Sequence, residues 1–186
     1  MDLQHEQLYH IYNRGNNRQR VFLRDDHYLL FLKKLRDLLQ PQAHIVAWCL
    51  MPNHFHLLAQ LRDTATAAQF NTAICTVLSS YTRALNHQLG RTGSLFQQGT
   101  KAKQLDGDDY ALNCFCYIHQ NPARAALETT PGEWPWSSFQ DYAGHRSGTL
   151  CNHALATELL DLPPTAAERR ALMLQVPPAG TRAILY

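Results

Sequence analysis

One stretch limits the folds open to this chain: Ala43 to Leu50, then Met51-Pro52-Asn53, then His54 to Gln60. Two apolar, β-favouring runs separated by a short Pro-Asn connection read as neighbouring strands of a hairpin. Successive side chains of a strand point to opposite faces, so His54 and His56 share one face while Phe55 and Leu57 turn into the core on the other. Two imidazoles held in this way can bind a divalent metal through neutral ring nitrogens. With 10 histidines in the chain, the pair equally fits an ordinary polar strand face.

The rest of the chain supplies partners for that hairpin. Leu8 to Asn13 alternates and reads as a first strand. The turn-forming Arg14-Gly15-Asn16-Asn17-Arg18 follows it. Asp25 or Asp26 can cap a helix reaching about Leu39, with Tyr28, Phe31, Leu32 and Leu35 in its apolar stripe and Pro41 as its stop. A second helix is expected from Thr66 to about Leu89, ended by Gly90. Thr100 to Leu105 is a short basic strand candidate, and the carboxylates at Asp106 to Asp109 favour the start of a third helix that should end near Pro122. Strand, helix, strand, strand, helix, strand is the order of an α+β ferredoxin-like (RRM-like) sandwich, here with an additional helix after it.

Pro131 to Ser138 reads as an aromatic, proline-rich wrap across the core. Residues 1–145 are expected to form the main domain and 146–186 a partly helical tail. In that tail, Asn152 can cap one helix, and Thr165 with Glu168 makes a capping box for another.

Charge narrows the class of partner. The net charge is only +2, yet residues 1–124 hold 13 Lys and Arg against 9 Asp and Glu. The cations gather at Arg14, Arg18, Arg20 and Arg24, at Lys33, Lys34 and Arg36, and at Arg83, Arg91, Lys101 and Lys103. Such a distribution fits phosphate contacts and fits an ordinary solvated surface equally well. No apolar run approaches the roughly 18–20 residues that span a bilayer. The polar start does not read as a signal peptide, so a cytoplasmic location is expected. Five cysteines without CxxC spacing indicate neither a disulfide framework nor a zinc knuckle.

A second cluster converges on the histidine strand. In Cys116-Tyr117-Ile118-His119-Gln120-Asn121-Pro122, Tyr117 and Asn121 lie about 40° apart on a helical wheel, whereas His119 lies about 200° from Tyr117. A phenol can attack phosphorus once the phosphate is polarised, and an amide oxygen is a hard ligand suited to Mg²⁺ or Mn²⁺. Taken singly, Tyr117 also fits a core position and Asn121 a cap before proline.

Five motifs in order carry a resemblance: Tyr9-His10-Ile11-Tyr12-Asn13-Arg14-Gly15-Asn16-Asn17, Met51 to Leu58, Gly93-Ser94-Leu95-Phe96-Gln97, Tyr117 to Pro122, and Trp136-Ser137-Ser138. From about Tyr9 to Gly144 the chain closely resembles the REP-associated tyrosine transposases, a branch of the single-tyrosine HUH nucleases. One departure is Gln98-Gly99-Thr100-Lys101, where relatives often carry Arg-Tyr-Lys or similar.

The resemblance implies a site-specific single-stranded DNA endonuclease and strand transferase, using Mg²⁺ or Mn²⁺, that acts at palindromic repeats folding into hairpins. It places the metal on His54, His56 and Asn121, and the nucleophile that forms a 5′-phosphotyrosine on Tyr117. Candidate DNA contacts are Arg14, Gly15, Asn16, Asn17, Arg18, Arg20, Lys33, Lys34, Arg83, Arg91, Lys101 and Lys103. A monomer is favoured over a homodimer. The alternatives are a metal-dependent phosphodiesterase without a covalent intermediate, which would not need Tyr117, and a noncatalytic nucleic-acid-binding module on the same fold.

Overall fold

The computed structural model describes residues 1–175. Its centre is a four-stranded sheet of β1 (Leu8–Arg14), β2 (Ala43–Met51), β3 (His54–Leu61) and β4 (Lys101–Gln104), in the order β2-β3-β1-β4. Every neighbouring pair is antiparallel. Two helices separate the strands, α1 (Asp25–Lys34) between β1 and β2 and α2 (Ala67–Leu89) between β3 and β4. The strand and helix succession read from the sequence is therefore present, and the fold is α+β with an antiparallel sheet.

The pleat sorts the two sides of the sheet. Phe55 turns toward α1 and α2, where its ring lies 5.3 Å from Phe31 and Phe31 meets Tyr81 at 5.1 Å. These aromatics and Ile11, Phe70, Ile74 and Val77 are buried and form the core on that side. Helix α3 (Asp108–Arg124) packs on the opposite face, across β2 and β3. Helices thus cover both faces, and the face bearing the histidines is the one under α3.

Helix ends follow local chemistry at α2 but not at α1. Thr66 and Gln69 form a reciprocal capping box at the start of α2, and Gly90 closes it in the left-handed conformation at φ 60°. Helix α1 has no side-chain cap: Arg24 occupies that position, and Asp26 is drawn into a 2.8 Å ion pair with it instead. The segment to Leu39 continues as a wider π turn over Leu35–Leu39. Helix α3 ends at Arg124, near Pro122 as expected, with the proline inside its last turn. Proline removes one backbone donor, and close to the helix end that loss is small; Ala125 and Leu127 still donate to the carbonyls of Asn121 and Pro122.

Beyond α3 the chain wraps along β2. Trp136 and Ser138 exchange backbone hydrogen bonds with Leu50 and Trp48, and the Ser138 hydroxyl accepts from the Trp48 amide at 2.9 Å. The short α4 (Phe139–Tyr142) follows, then α5 (His153–Leu160), capped by Asn152, and α6 (Ala166–Leu174), opened by the Thr165 and Glu168 capping box. Helix α6 leans on α3, where Gln120 donates to the Met173 carbonyl at 2.9 Å. Residues 176–186 of the expected tail lie outside the described residues.

Candidate active site

Strand register builds the site. Tyr12 stands opposite His56 and Arg14 opposite His54 across β1 and β3, while Tyr12 faces Lys101 and His10 faces Lys103 across β1 and β4. Directly opposed residues share a face, so His10, Tyr12, Arg14, His54, His56, Lys101 and Lys103 all project from one side. A cleft of about 250 Å³ opens there, lined by Tyr12, Arg14, His54, His56, Gln98 and Lys101 among others.

Tyr117 comes to this face from α3. Its ring lies edge-on to His56, with centroids 5.7 Å apart and planes at 81°, and 6.3 Å from His10. The guanidinium of Arg124 sits 5.4 Å above the Tyr117 ring. Tyr117 is only 1% exposed, His56 3% and His10 0%. Burial is the main cause that lowers the three histidines: His54 and His10 fall to about 4, and His56 well below its ordinary value. The charges of Arg14 beside His54 and Lys103 beside His10 add to the effect. All three imidazoles are neutral at physiological pH, the form that coordinates metals.

The remaining sequence candidates divide by position. Asn121 lies one turn after Tyr117, buried, with its Nδ2 donating to the Tyr117 carbonyl at 2.9 Å. His119 is occupied elsewhere, with Nε2 2.8 Å from the Ser138 hydroxyl and its ring against Phe115 and Tyr142.

Arg18 and Arg20 are exposed on the loop after β1. Arg91 reaches the Gln19 side chain at 3.5 Å, and so borders that loop. Lys33 and Lys34 belong to the last turn of α1, on the face turned away from the histidines, and Lys33 is paired with Asp37. Arg83 lines an open groove along α2 that adjoins the histidine cleft through Asn13, Gln97, Gln98 and Gly99. Asn16 binds the Ser94 carbonyl and Asn17 is exposed at φ 53°. Gly15 has an internal reason to be glycine: a Cβ there would sit 2.3 Å from the Gln19 carbonyl oxygen.

Sequence reasoning did not single out two residues of the site, His10 and Asn53. His10 Nε2 lies 2.8 Å from His56 Nδ1, and Asn53 Oδ1 lies 2.6 Å from His54 Nδ1. For His10 a signal exists, an ionisable residue on an apolar strand with the same parity as Tyr12 and Arg14. For Asn53 the turn position masks it.

The donor set fits a divalent cation. His56 Nε2 is buried with no hydrogen-bond partner, an arrangement that is costly unless something else satisfies it. Among the described residues no group of three or more His, Cys, Asp or Glu side chains is placed to hold a metal. A cation here would draw two nitrogens from β3 and require oxygen donors besides, for which the Asn121 amide and a phosphate have suitable chemistry. Neutral imidazoles, a phenol and a rim of cations together make a setting for phosphoryl transfer on a polyanion.

Comparison with known proteins agrees with that chemistry. Residues 4–121 match the family described as "Transposase IS200 like". The match takes in β1, the histidine strand, Tyr117 and Asn121, and covers more than half of the chain. The chain belongs to the IS200-like transposase family, so the resemblance read from the motifs holds at the level of this family.

A curated relative from Haemophilus influenzae (strain ATCC 51907 / DSM 11121 / KW20 / Rd) carries the name REP-associated tyrosine transposase, with 28% identity over 103 residues. That alignment covers 50% of this chain and 57% of the relative, so the chain spans little more than half of the relative's length. Among solved structures, one described as a REP-associated tyrosine transposase bound to a REP hairpin superposes with a TM-score of 0.64. It is 14% identical and covers 82% of this chain and 92% of that one, which establishes a shared fold.

Proposed function

We propose that this protein is a metal-dependent endonuclease and strand transferase that cuts single-stranded DNA beside hairpin-forming palindromic repeats, with Tyr117 as its nucleophile. The observation that carries this reading is the Tyr117 ring set against His56 on a basic sheet face. The family match supports the reaction class, and the hairpin named with the related fold supports the substrate.

Mg²⁺ or Mn²⁺ held by His54, His56 and Asn121 would supply Lewis-acid polarisation of the scissile phosphate. Arg14, Lys101 and Lys103 line the strand face and Arg18, Arg20 and Arg91 border it, so they would take the neighbouring phosphates. The Tyr117 oxygen attacks phosphorus and the bond to the 3′-oxygen breaks, leaving a 5′-phosphotyrosine. The phenolic proton passes to water as the departing 3′-oxygen takes one up. A 3′-hydroxyl of a second strand then attacks the same phosphorus, restores a phosphodiester and returns the phenol. The linkage keeps the energy of the original bond, so rejoining needs no ATP. Tyr117 is buried in this structure, so its hydroxyl must be uncovered before it can meet DNA.

Residues 1–145 would form the catalytic unit, with α5 and α6 packed against α3 as its support. The protein would act in the cytoplasm as a monomer. The test is incubation with single-stranded hairpin DNA bearing both flanks, followed by a denaturing gel and mass spectrometry of the adduct. A covalent complex at Tyr117 is expected. Cleavage without an adduct would favour the phosphodiesterase, and binding without cleavage a noncatalytic module.

A further inference from the structure

We infer that Asn53 and His10 are positioning residues that accept the Nδ1 proton of the strand histidines, Asn53 that of His54 in the free protein and His10 that of His56 once a cation is bound, so that both histidines present an unprotonated Nε2 to the metal. This rests on the metal-dependent reading above and extends it to two residues that touch neither metal nor DNA in that reading.

Asn53 sits within a chain of donors and acceptors. Its Nδ2 donates to the Arg18 carbonyl at 3.2 Å, and its Oδ1 lies 2.6 Å from His54 Nδ1. Turning the amide over would set two oxygens against each other at Arg18, so Oδ1 is held toward the imidazole. An amide oxygen only accepts. His54 Nδ1 therefore carries the proton, and the lone pair is on Nε2.

For His56 the partner is another imidazole. His10 Nε2 lies 2.8 Å from His56 Nδ1, and the rings stack at 5.0 Å with 21° between their planes. Either ring can donate in this bond. The outer nitrogens, His56 Nε2 and His10 Nδ1, are both buried without a hydrogen-bond partner, so the protein alone leaves the two arrangements balanced. A cation on His56 Nε2 breaks the tie. The lone pair must then be on Nε2, Nδ1–H donates to His10 Nε2, and His10 keeps its own proton on Nδ1. Histidines that bind metals generally fix their second nitrogen as a donor in this way. Here the acceptors are an amide and an imidazole.

Two measurements test the inference. Long-range proton–nitrogen correlation spectra of isotope-labelled, metal-free protein near neutral pH read each tautomer directly. Wild type should hold His54 as the Nδ1–H form, while Asn53→Leu should move it to a mixture or to Nε2–H. Calorimetric titration with Mn²⁺ should show affinity weakened on the order of 10–100-fold in Asn53→Leu and His10→Leu. His10→Gln, which keeps an acceptor in reach, should retain most of it, a rescue that a purely packing role would not give.

His54 protonated on Nε2 in wild type would overturn the inference, as would Leu variants that bind Mn²⁺ like wild type. Should His10→Leu not fold, failure of His10→Gln to hold the metal would overturn the role of His10 equally. A folded wild type that binds no Mn²⁺ would defeat the metal reading and with it the role of His10, whereas the role of Asn53 is decided by the metal-free spectra.

Discussion

Tyr117 and His56 come from elements 61 positions apart in the chain and meet edge to face, with ring centroids 5.7 Å apart. Neither strand register nor helix periodicity places them together by itself. The contact exists because α3 crosses the sheet on the face opposite α1 and α2, over β2 and β3. The phenol is thereby delivered to the side of the sheet that β1 and β4 line with Arg14, Lys101 and Lys103.

That placement separates two groups of cations. Replacing Arg14 and Lys101 by Gln should weaken hairpin binding and lower the slope of log affinity against log salt by about 0.7 to 0.9 per lost phosphate contact. Replacing Lys33 and Lys34, on the helix turned away from the histidines, should change both much less. Equal losses for the two pairs in a salt titration would show that DNA wraps the α1 side as well.

The loop after β1 depends on its glycine. Gly15→Ala would place a Cβ 2.3 Å from the Gln19 carbonyl and 2.8 Å from Val21 Cγ1, so backbone must move. A stability loss of about 1–3 kcal/mol is expected, the range for overpacking, together with weaker DNA binding from the displaced Arg18. Urea unfolding at unchanged m-value would measure the first effect, and an unaltered midpoint would refute the crowding.

Acid should destabilise the metal-free protein through its buried imidazoles. His54 and His10 titrate near 4, below the ordinary 6.5, and His119 near 3. Between those values the unfolded chain binds protons that the folded chain refuses, so stability rises with pH across the window. It is complete above about 6.5 and is lost progressively as pH falls toward 4. Denaturation midpoints in metal-free buffer across this range should fall steadily, and a flat profile would mean that the imidazoles are more hydrated than their burial indicates.

Much of the frame was legible because its signals are local. The alternation around His54 and His56 gave the shared face, and Thr66 with Gln69 and Gly90 marked both ends of α2. The order of strands and helices followed from such segments. Less legible were features set by competition or by distance. Asp26 was expected as a cap and instead answers Arg24, since an ion pair is an alternative use of the same carboxylate. His10 and Asn53 acquire their meaning only from atoms across the sheet and turn, through β1 pairing with β3 and the amide of Asn53 tied to Arg18. Residue type alone does not reveal a tautomer.

The most direct test of the account compares Tyr117→Phe with His54→Ala/His56→Ala on single-stranded hairpin DNA under single-turnover conditions. Tyr117→Phe removes only the phenolic oxygen. It should fold, bind Mn²⁺ and bind the hairpin, yet form no covalent adduct, with cleavage lowered on the order of a hundredfold or more. The double histidine variant should also fail to cleave, but with little or no Mn²⁺ binding and with Tyr117 still in place. Cleavage near wild-type level by Tyr117→Phe would contradict the account, because water or another tyrosine would then be attacking the phosphate.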